Sequence, residues 1–199
     1  MTSADTALPP AARDSVYEED LPGLGRLRLV RLAPEHDADL IHSWVREERA
    51  RFWGMNGMTR DEVRDIYLFL DSLDTHHGYL MTVAARPVGI FQTYEPQQDP
   101  VAEAYPARPE DTGLHLLLAP ATQPVPDFTP VLLAGLVRFL LSDPAKDRVV
   151  AEPDARNSKA IGRFLGFGFE AGAVVQLAEK QAQLVFLPRE KFEARAPRS

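Results

Sequence analysis

Cysteine is absent from all 199 residues. That absence excludes disulfides, thiolate metal sites and a cysteine nucleophile, and it fits a reducing compartment. No apolar run approaches the roughly 18 residues that a membrane span needs. Met1 to Pro10 also lacks the basic start and apolar stretch of a signal peptide, so a cytoplasmic place with no membrane partner is expected. Basic residues are in the minority, 22 Lys and Arg against 29 Asp and Glu, for a formal charge of −7 at pH 7. Charge-driven binding to nucleic acid is thereby disfavoured, whereas a cationic small substrate is compatible. Internal repeats and a second core are lacking too. Residues 23–199 therefore read as one domain, large enough to bury a core without staples. Residues 1–22 are rich in Ala, Pro and acids without periodicity, and read as a disordered or loosely attached tail.

What is present is an alternation of strands and helices, in a chain that is 45% hydrophobic and 26% charged like an ordinary globular domain. Arg26 to Leu32 reads as a strand, with Leu27 and Leu29 on one face. Pro34 suits the first position of a helix carrying Leu40, Ile41, Trp44 and Val45 at helical spacing. Arg51 to Gly57, aromatic and glycine-punctuated, reads as a structured loop, and Thr59 with Glu62 makes a capping box for a second helix. His77 to Ala85 and Val88 to Tyr94 are strands, expected to turn at Arg86-Pro87. Glu95 to Asp111 reads as a long surface loop. Thr112 to Ala119 is a nearly continuous apolar strand of the kind buried on both faces. A helix capped by Thr129 with Pro130 first, a strand Arg148 to Glu152, and a helix from Asn157 or Ser158 to Gly168 follow. Val174 to Leu177 and Gln183 to Leu187 close the chain as a strand pair.

The strand, helix, strand unit from Thr112 to Glu152 carries the chemistry. A connection of that length should join parallel neighbours by a right-handed crossover, and ligands gather beyond the carboxyl ends of such strands. His115 and Asp154 fall in that zone. Alternation puts Gly113, His115 and Leu117 on one face and Leu114, Leu116 and Leu118 on the other, so His115 is a polar group set into an apolar strand. Such a histidine can equally be a satisfied core residue, Asp154 after Pro153 a turn residue, Trp53 a core anchor, and Asn157 a plain N-cap. Gly162 and Gly166, one turn apart in the last long helix, would be explained by close approach of another backbone or a cofactor, or by loose packing.

This element order resembles that of the GNAT acyltransferases, whose fold is α/β: a mixed, mostly antiparallel sheet with a central parallel strand pair, flanked by helices. More narrowly, Trp53-Gly54-Met55, Gly113 to Leu118, and Glu152-Pro153-Asp154 with Asn157 are similar to the siderophore acyltransferases, over roughly Arg26 to Phe192. That branch acylates hydroxylated lysine, ornithine or cadaverine to give hydroxamates. The resemblance implies acyl-CoA as co-substrate with no metal, and His115 and Asp154 as catalytic. It further implies that Trp53, His115, Gln92 and Tyr94 contact the hydroxylamine, and that Leu117, Leu118, Ala119, Thr122, Gln123 and Asn157 contact CoA. One departure is plain. GNAT proteins carry a glycine-containing loop after the central strand whose N–H groups hold the CoA pyrophosphate, whereas Ala121 to Asp127 has no glycine and two prolines.

The chemistry stands beside the resemblance. Acyl transfer from a thioester needs a nitrogen lone pair, a proton acceptor near it and donors for the developing oxyanion. His115 is suited to accept the proton, with Asp154 orienting it or serving as the base itself. With no cysteine, direct attack is expected over a covalent acyl-enzyme. A GNAT enzyme for an ordinary amine and a non-catalytic acyl-CoA-binding module are the alternatives.

Overall fold

Strand formation begins earlier than the hydrophobic pattern indicates. In the computed structural model, which describes residues 9–121 and 123–195, Ser15–Leu21 forms β1 and pairs antiparallel with β2, Gly25–Arg31. The later part of the segment expected as a tail is thus a sheet strand, while residues 1–8 lie outside the described residues. The acids of β1 disguise it because they face arginines across the ladder. Glu18 accepts from Arg28 Nε at 2.7 Å, and Asp20 takes Arg26 with both oxygens at 2.9 and 3.0 Å.

The chain divides into two compact units, Met1–Phe91 with Leu116–Pro124, and Gln92–His115 with Val125–Ser199. In the first, β1 and β2 are followed by α1 (Pro34–Val45), a 3₁₀ segment at Glu48–Trp53, α2 (Arg60–Asp71), β3 (His76–Val83) and most of β4 (Arg86–Tyr94). Apolar positions at helical spacing put Ile41, Trp44 and Val45 of α1 and Val63 and Tyr67 of α2 into one cluster with Val30, Leu80 and Ile90 of the strands. Each such side chain, fully buried, contributes about 1.5–3 kcal/mol. Glu62 and Thr59 cap α2 reciprocally, Glu62 Oε2 accepting the Thr59 N–H at 2.7 Å and Thr59 Oγ1 the Glu62 N–H at 3.3 Å. Arg13 reaches the first turn of α1, where it grips the buried Asp37 in a two-point bond.

The second unit holds the end of β4, most of β5 (Asp111–Leu118), α3 (Phe128–Leu140), β6 (Arg148–Ala151), α4 (Ser158–Phe167), β7 (Glu170–Gln176), β8 (Gln181–Pro188) and α5 (Arg189–Glu193). The sheet order is β1-β2-β3-β4-β5-β6-β8-β7. β5 and β6 pair in parallel, and β1–β2, β2–β3, β6–β8 and β7–β8 are antiparallel. The expected mixed α/β sheet with a central parallel pair is the architecture found. No helix among the described residues is long and apolar enough to cross a membrane.

Two boundaries differ from the sequence reading for local reasons. The β3–β4 turn is Ala84-Ala85, at φ 48° and 62°, while Arg86 and Pro87 already belong to β4. Two-residue turns of left-handed residues match strand twist, so the backbone tolerates alanine where glycine or asparagine is usual. α3 starts at Phe128 after Asp127 rather than after Thr129. Pro130 then sits in the first turn, where helical N–H groups have no partner and its missing donor costs nothing.

Candidate active site

The parallel pair fixes the site through its register. Asp111 stands opposite Arg148, Thr112 opposite Val149 and Gly113 opposite Val150. The first of these pairs is an ion pair around a fully buried carboxylate: Asp111 accepts from Arg148 Nε at 2.7 Å and Nη2 at 2.8 Å, and also from the Tyr105 hydroxyl and the Arg108 N–H at 3.0 Å. Burial pushes the Asp111 carboxyl up, but these donors pull it further down, so it stays below the ordinary carboxylate range. Four residues further along both strands come His115 and Glu152.

His115 Nε2 is hydrogen-bonded to Glu152 Oε1, and the Tyr94 hydroxyl donates to Glu152 Oε2. Glu152 is only 5% exposed. Its burial raises the carboxyl's pKa; His115, Lys180 and the Tyr94 hydroxyl together outweigh that and hold it below its usual value. Burial and the Glu152 charge push the Tyr94 phenol well up, so it remains a donor. The Tyr94 ring packs on the imidazole with centroids 5.0 Å apart. A Cβ on Gly113 would lie 2.1 Å from that ring, so the close approach requires glycine. On the other side of the imidazole, Nδ1 lies 3.4 Å from Gln92 Oε1. Tyr94, Gln92, Gly113 and His115 thus share one face of adjoining strands.

An ionised carboxylate only accepts hydrogen bonds, so Glu152 fixes a proton on Nε2, and the neutral form of the imidazole then carries its lone pair on Nδ1. A buried acid orienting a half-exposed imidazole is the arrangement of a general base with its positioning group.

Asp154 takes a different place from the one expected. Its Oδ1 accepts from the Arg156 N–H at 2.8 Å and Nε at 2.9 Å, and its Oδ2 from Nη2 at 2.7 Å. The bond to Arg156, reinforced by that residue's backbone N–H and charge, draws the carboxyl down to about 2. Such a group is a poor proton acceptor near neutrality. The carboxylate that His115 meets is Glu152. Glu152 directly follows β6, as many residues beyond Arg148 as His115 is beyond Asp111 on the parallel strand; that alignment was the available signal. Tyr94, expected at the substrate, gives its hydroxyl to Glu152.

Trp53 packs on the core cluster of the first unit and donates from Nε1 to the Tyr67 hydroxyl at 3.2 Å, which is an anchor's role. Of the expected CoA contacts, Leu117 is buried in that same cluster. Leu118 accepts at its carbonyl from Arg49 Nη1 at 2.6 Å, and Ala119 donates its N–H to the Val88 carbonyl at 2.7 Å. Gln123 is exposed, and Thr122 lies outside the described residues. Asn157 Oδ1 caps α4 by accepting the Ala160 N–H at 3.1 Å. At the start of α3 the Phe128 N–H goes to the Val125 carbonyl and the Val131 N–H to that of Asp127, and Pro130 has none. With the Phe128 and Val131 N–H groups engaged and Pro130 lacking one, the start of α3 offers few backbone donors to a diphosphate. Gly162 and Gly166 face open space, so no neighbouring backbone accounts for them.

Comparison with known proteins agrees with this architecture. The family described as acetyltransferase (GNAT) domain matches residues 33–177. An N(6)-hydroxylysine O-acetyltransferase of Escherichia coli is 27% identical over 188 residues, covering 92% of this chain and 59% of that protein. An N-hydroxyputrescine acetyltransferase of Acinetobacter baumannii is 31% identical over 120 residues, covering 60% of this chain and 57% of that protein. The chain therefore spans less than two thirds of the length of these relatives. A crystal structure of an uncharacterized protein from Bacillus halodurans superimposes with a TM-score of 0.84 at 25% identity, over 90% of this chain and 93% of that one.

Proposed function

The chain belongs to the GNAT acetyltransferase domain family, and from that premise we propose that it transfers an acetyl- or succinyl-type group from acyl-CoA to the nitrogen of an N-hydroxylated amine, forming a hydroxamate of the kind used in siderophore biosynthesis. The acceptor class is of the hydroxylysine, hydroxyornithine or hydroxycadaverine type. The observation that carries the reading is the imidazole of His115, oriented by a buried Glu152 at Nε2, with Nδ1 on the other side beside Gln92. The names of the two relatives, a hydroxylysine and a hydroxyputrescine acetyltransferase, support the hydroxylated acceptor.

A hydroxylamine nitrogen is far less basic than an alkylamine and arrives neutral, its lone pair ready. As that nitrogen bonds to the thioester carbonyl carbon, His115 Nδ1 takes the N–H proton. The carbon–sulfur bond then breaks, and the proton passes from His115 to the departing CoA thiolate. Glu152 stabilises the imidazolium formed on the way, and Tyr94 holds Glu152 in place. Asp154, ionised and ion-paired through both oxygens to Arg156, takes no part in the proton transfer.

Product analysis tests this. Incubation with a pool of acyl-CoAs and of N-hydroxylated and plain diamines should yield hydroxamates, identified by mass and by their ferric complexes. Esters acylated on the hydroxyl oxygen would contradict N-transfer; preferred turnover of the plain diamines would favour an ordinary amine acetyltransferase. CoA binding without any product would identify a non-catalytic module. Intersecting double-reciprocal lines are expected, since both substrates must be bound before direct transfer.

A further inference from the structure

We infer that Gln92 is the residue that reads the hydroxyl of the acceptor, and so sets the preference for a hydroxylamine over an amine. The inference deepens the proposed function and rests on that reading of the site. Its basis is the position of the Gln92 amide on β4. Gln92 and Tyr94 are two residues apart on one strand and therefore share a face. Tyr94 lies over Gly113, and Gln92 lies beside His115, the next residue of the same face on β5. The two side chains have different tasks. Tyr94 is committed to Glu152 and is buried, 3% exposed. Gln92 is half-buried, and its Oε1 stands 3.4 Å from His115 Nδ1, at the far end of hydrogen-bond range.

That contact is poorly matched in the resting enzyme. With the proton held on Nε2 by Glu152, Nδ1 presents a lone pair towards the amide, and a carbonyl oxygen is not a donor to it. A primary amide turned about its last bond offers N–H instead, and the two orientations occupy nearly the same space. Gln92 thus places both a donor and an acceptor next to the atom that takes the substrate's proton. The nitrogen of an R–NH–OH acceptor that gives its proton to Nδ1 carries its hydroxyl one bond away, within reach of an amide that stands 3.4 Å from that atom. A hydroxyl both donates and accepts, so it pairs with the amide in full. An alkylamine has no oxygen there and leaves the half-buried amide without that partner. Sites that hydrogen-bond a substrate hydroxyl discriminate strongly against analogues lacking it, because their own polar group is left unpaired.

The test compares kcat/KM for N-hydroxycadaverine and for cadaverine, with acetyl-CoA, in the wild-type chain and in Gln92→Met. Methionine keeps the length and volume of the side chain and removes the amide. Wild type should prefer the hydroxylamine, and Gln92→Met should lower that ratio by about tenfold or more. Gln92→Asn, which keeps the amide but withdraws it by one methylene, should lower it as well, and it decides the matter if the methionine variant does not fold. A preference unchanged in the variants, with wild type preferring the hydroxylamine, overturns the role of Gln92 alone. A wild-type enzyme that favours cadaverine overturns the hydroxylamine reading itself, and this inference with it.

Discussion

His115 and Glu152 meet in the same parallel register that pairs Asp111 with Arg148 four residues earlier on each strand. The upstream pair is bidentate around a fully buried carboxylate and the downstream histidine is open to solvent, so a structural ion pair stands at one end and the proposed base with its carboxylate at the other. A slip of β5 against β6 would separate both.

The buried pair should therefore matter to stability in its own right. Arg148→Met leaves the Asp111 carboxylate buried beside Tyr105 without its counter-charge, and breaking such a pair costs about 3–5 kcal/mol. Denaturant unfolding should show that loss. Because the folded pKa of Asp111 is depressed, its contribution is fully present above the ordinary aspartate range near 4 and is lost as pH falls through the folded value. Wild type should accordingly lose stability on acidification below about pH 4, and the variant should show less of that dependence.

Tyr94 should act on the pH profile more than on binding. Its hydroxyl is one of the groups holding Glu152 below the usual carboxylate range. Tyr94→Phe removes that bond, so Glu152 protonates at higher pH and the low-pH limb of kcat moves up. Measured pH–rate profiles of the two proteins check this. Gly113→Ala, which drives a methyl into the Tyr94 ring, should damage kcat in the same sense.

Asp154 should behave differently from Glu152. Asp154→Asn is expected to leave kcat within about tenfold, because the carboxylate is ion-paired to Arg156 and is not the proton acceptor. Steady-state kinetics of Asp154→Asn beside Glu152→Gln separate the two carboxylates, and a loss of about 10²-fold or more in both would contradict the distinction.

CoA affinity should owe little to its diphosphate. Pro124 and Pro126 have no N–H, and neither has Pro130 in the first turn of α3, where the Phe128 and Val131 N–H groups are already used. Acyl-pantetheine should keep kcat/KM within about tenfold of acyl-CoA, equivalent to 1.4 kcal/mol. A thousandfold loss would mean that the loop from Ala121 to Asp127 grips phosphate after all.

The sequence was legible where one periodicity ruled. The capping box at Thr59 and Glu62, the parallel strands around His115, and the Asn157 cap were all readable from spacing and residue type. β1 was not, because its acids hid an alternation that only the arginines of β2 make sense of. At the site, His115 stood out as the one polar group on its face of an apolar strand. Its partner did not, because Glu152 and Asp154 lie two residues apart on either side of Pro153, and only the register of β5 on β6 decides between them. Trp53 illustrates the opposite case, a loop aromatic whose indole N–H finds Tyr67 and whose ring packs against a core.

The most direct test of the account is the turnover of His115→Ala, Glu152→Gln and their double variant on an N-hydroxylated diamine with saturating acetyl-CoA. Folding of each should be checked by circular dichroism and thermal melting. If His115 takes the proton and Glu152 positions it, each single variant should lose on the order of 10²-fold or more in kcat, and the double should be little worse than His115→Ala alone. Wild-type turnover in both folded single variants, or losses that simply multiply in the double, would contradict a base held by its buried carboxylate.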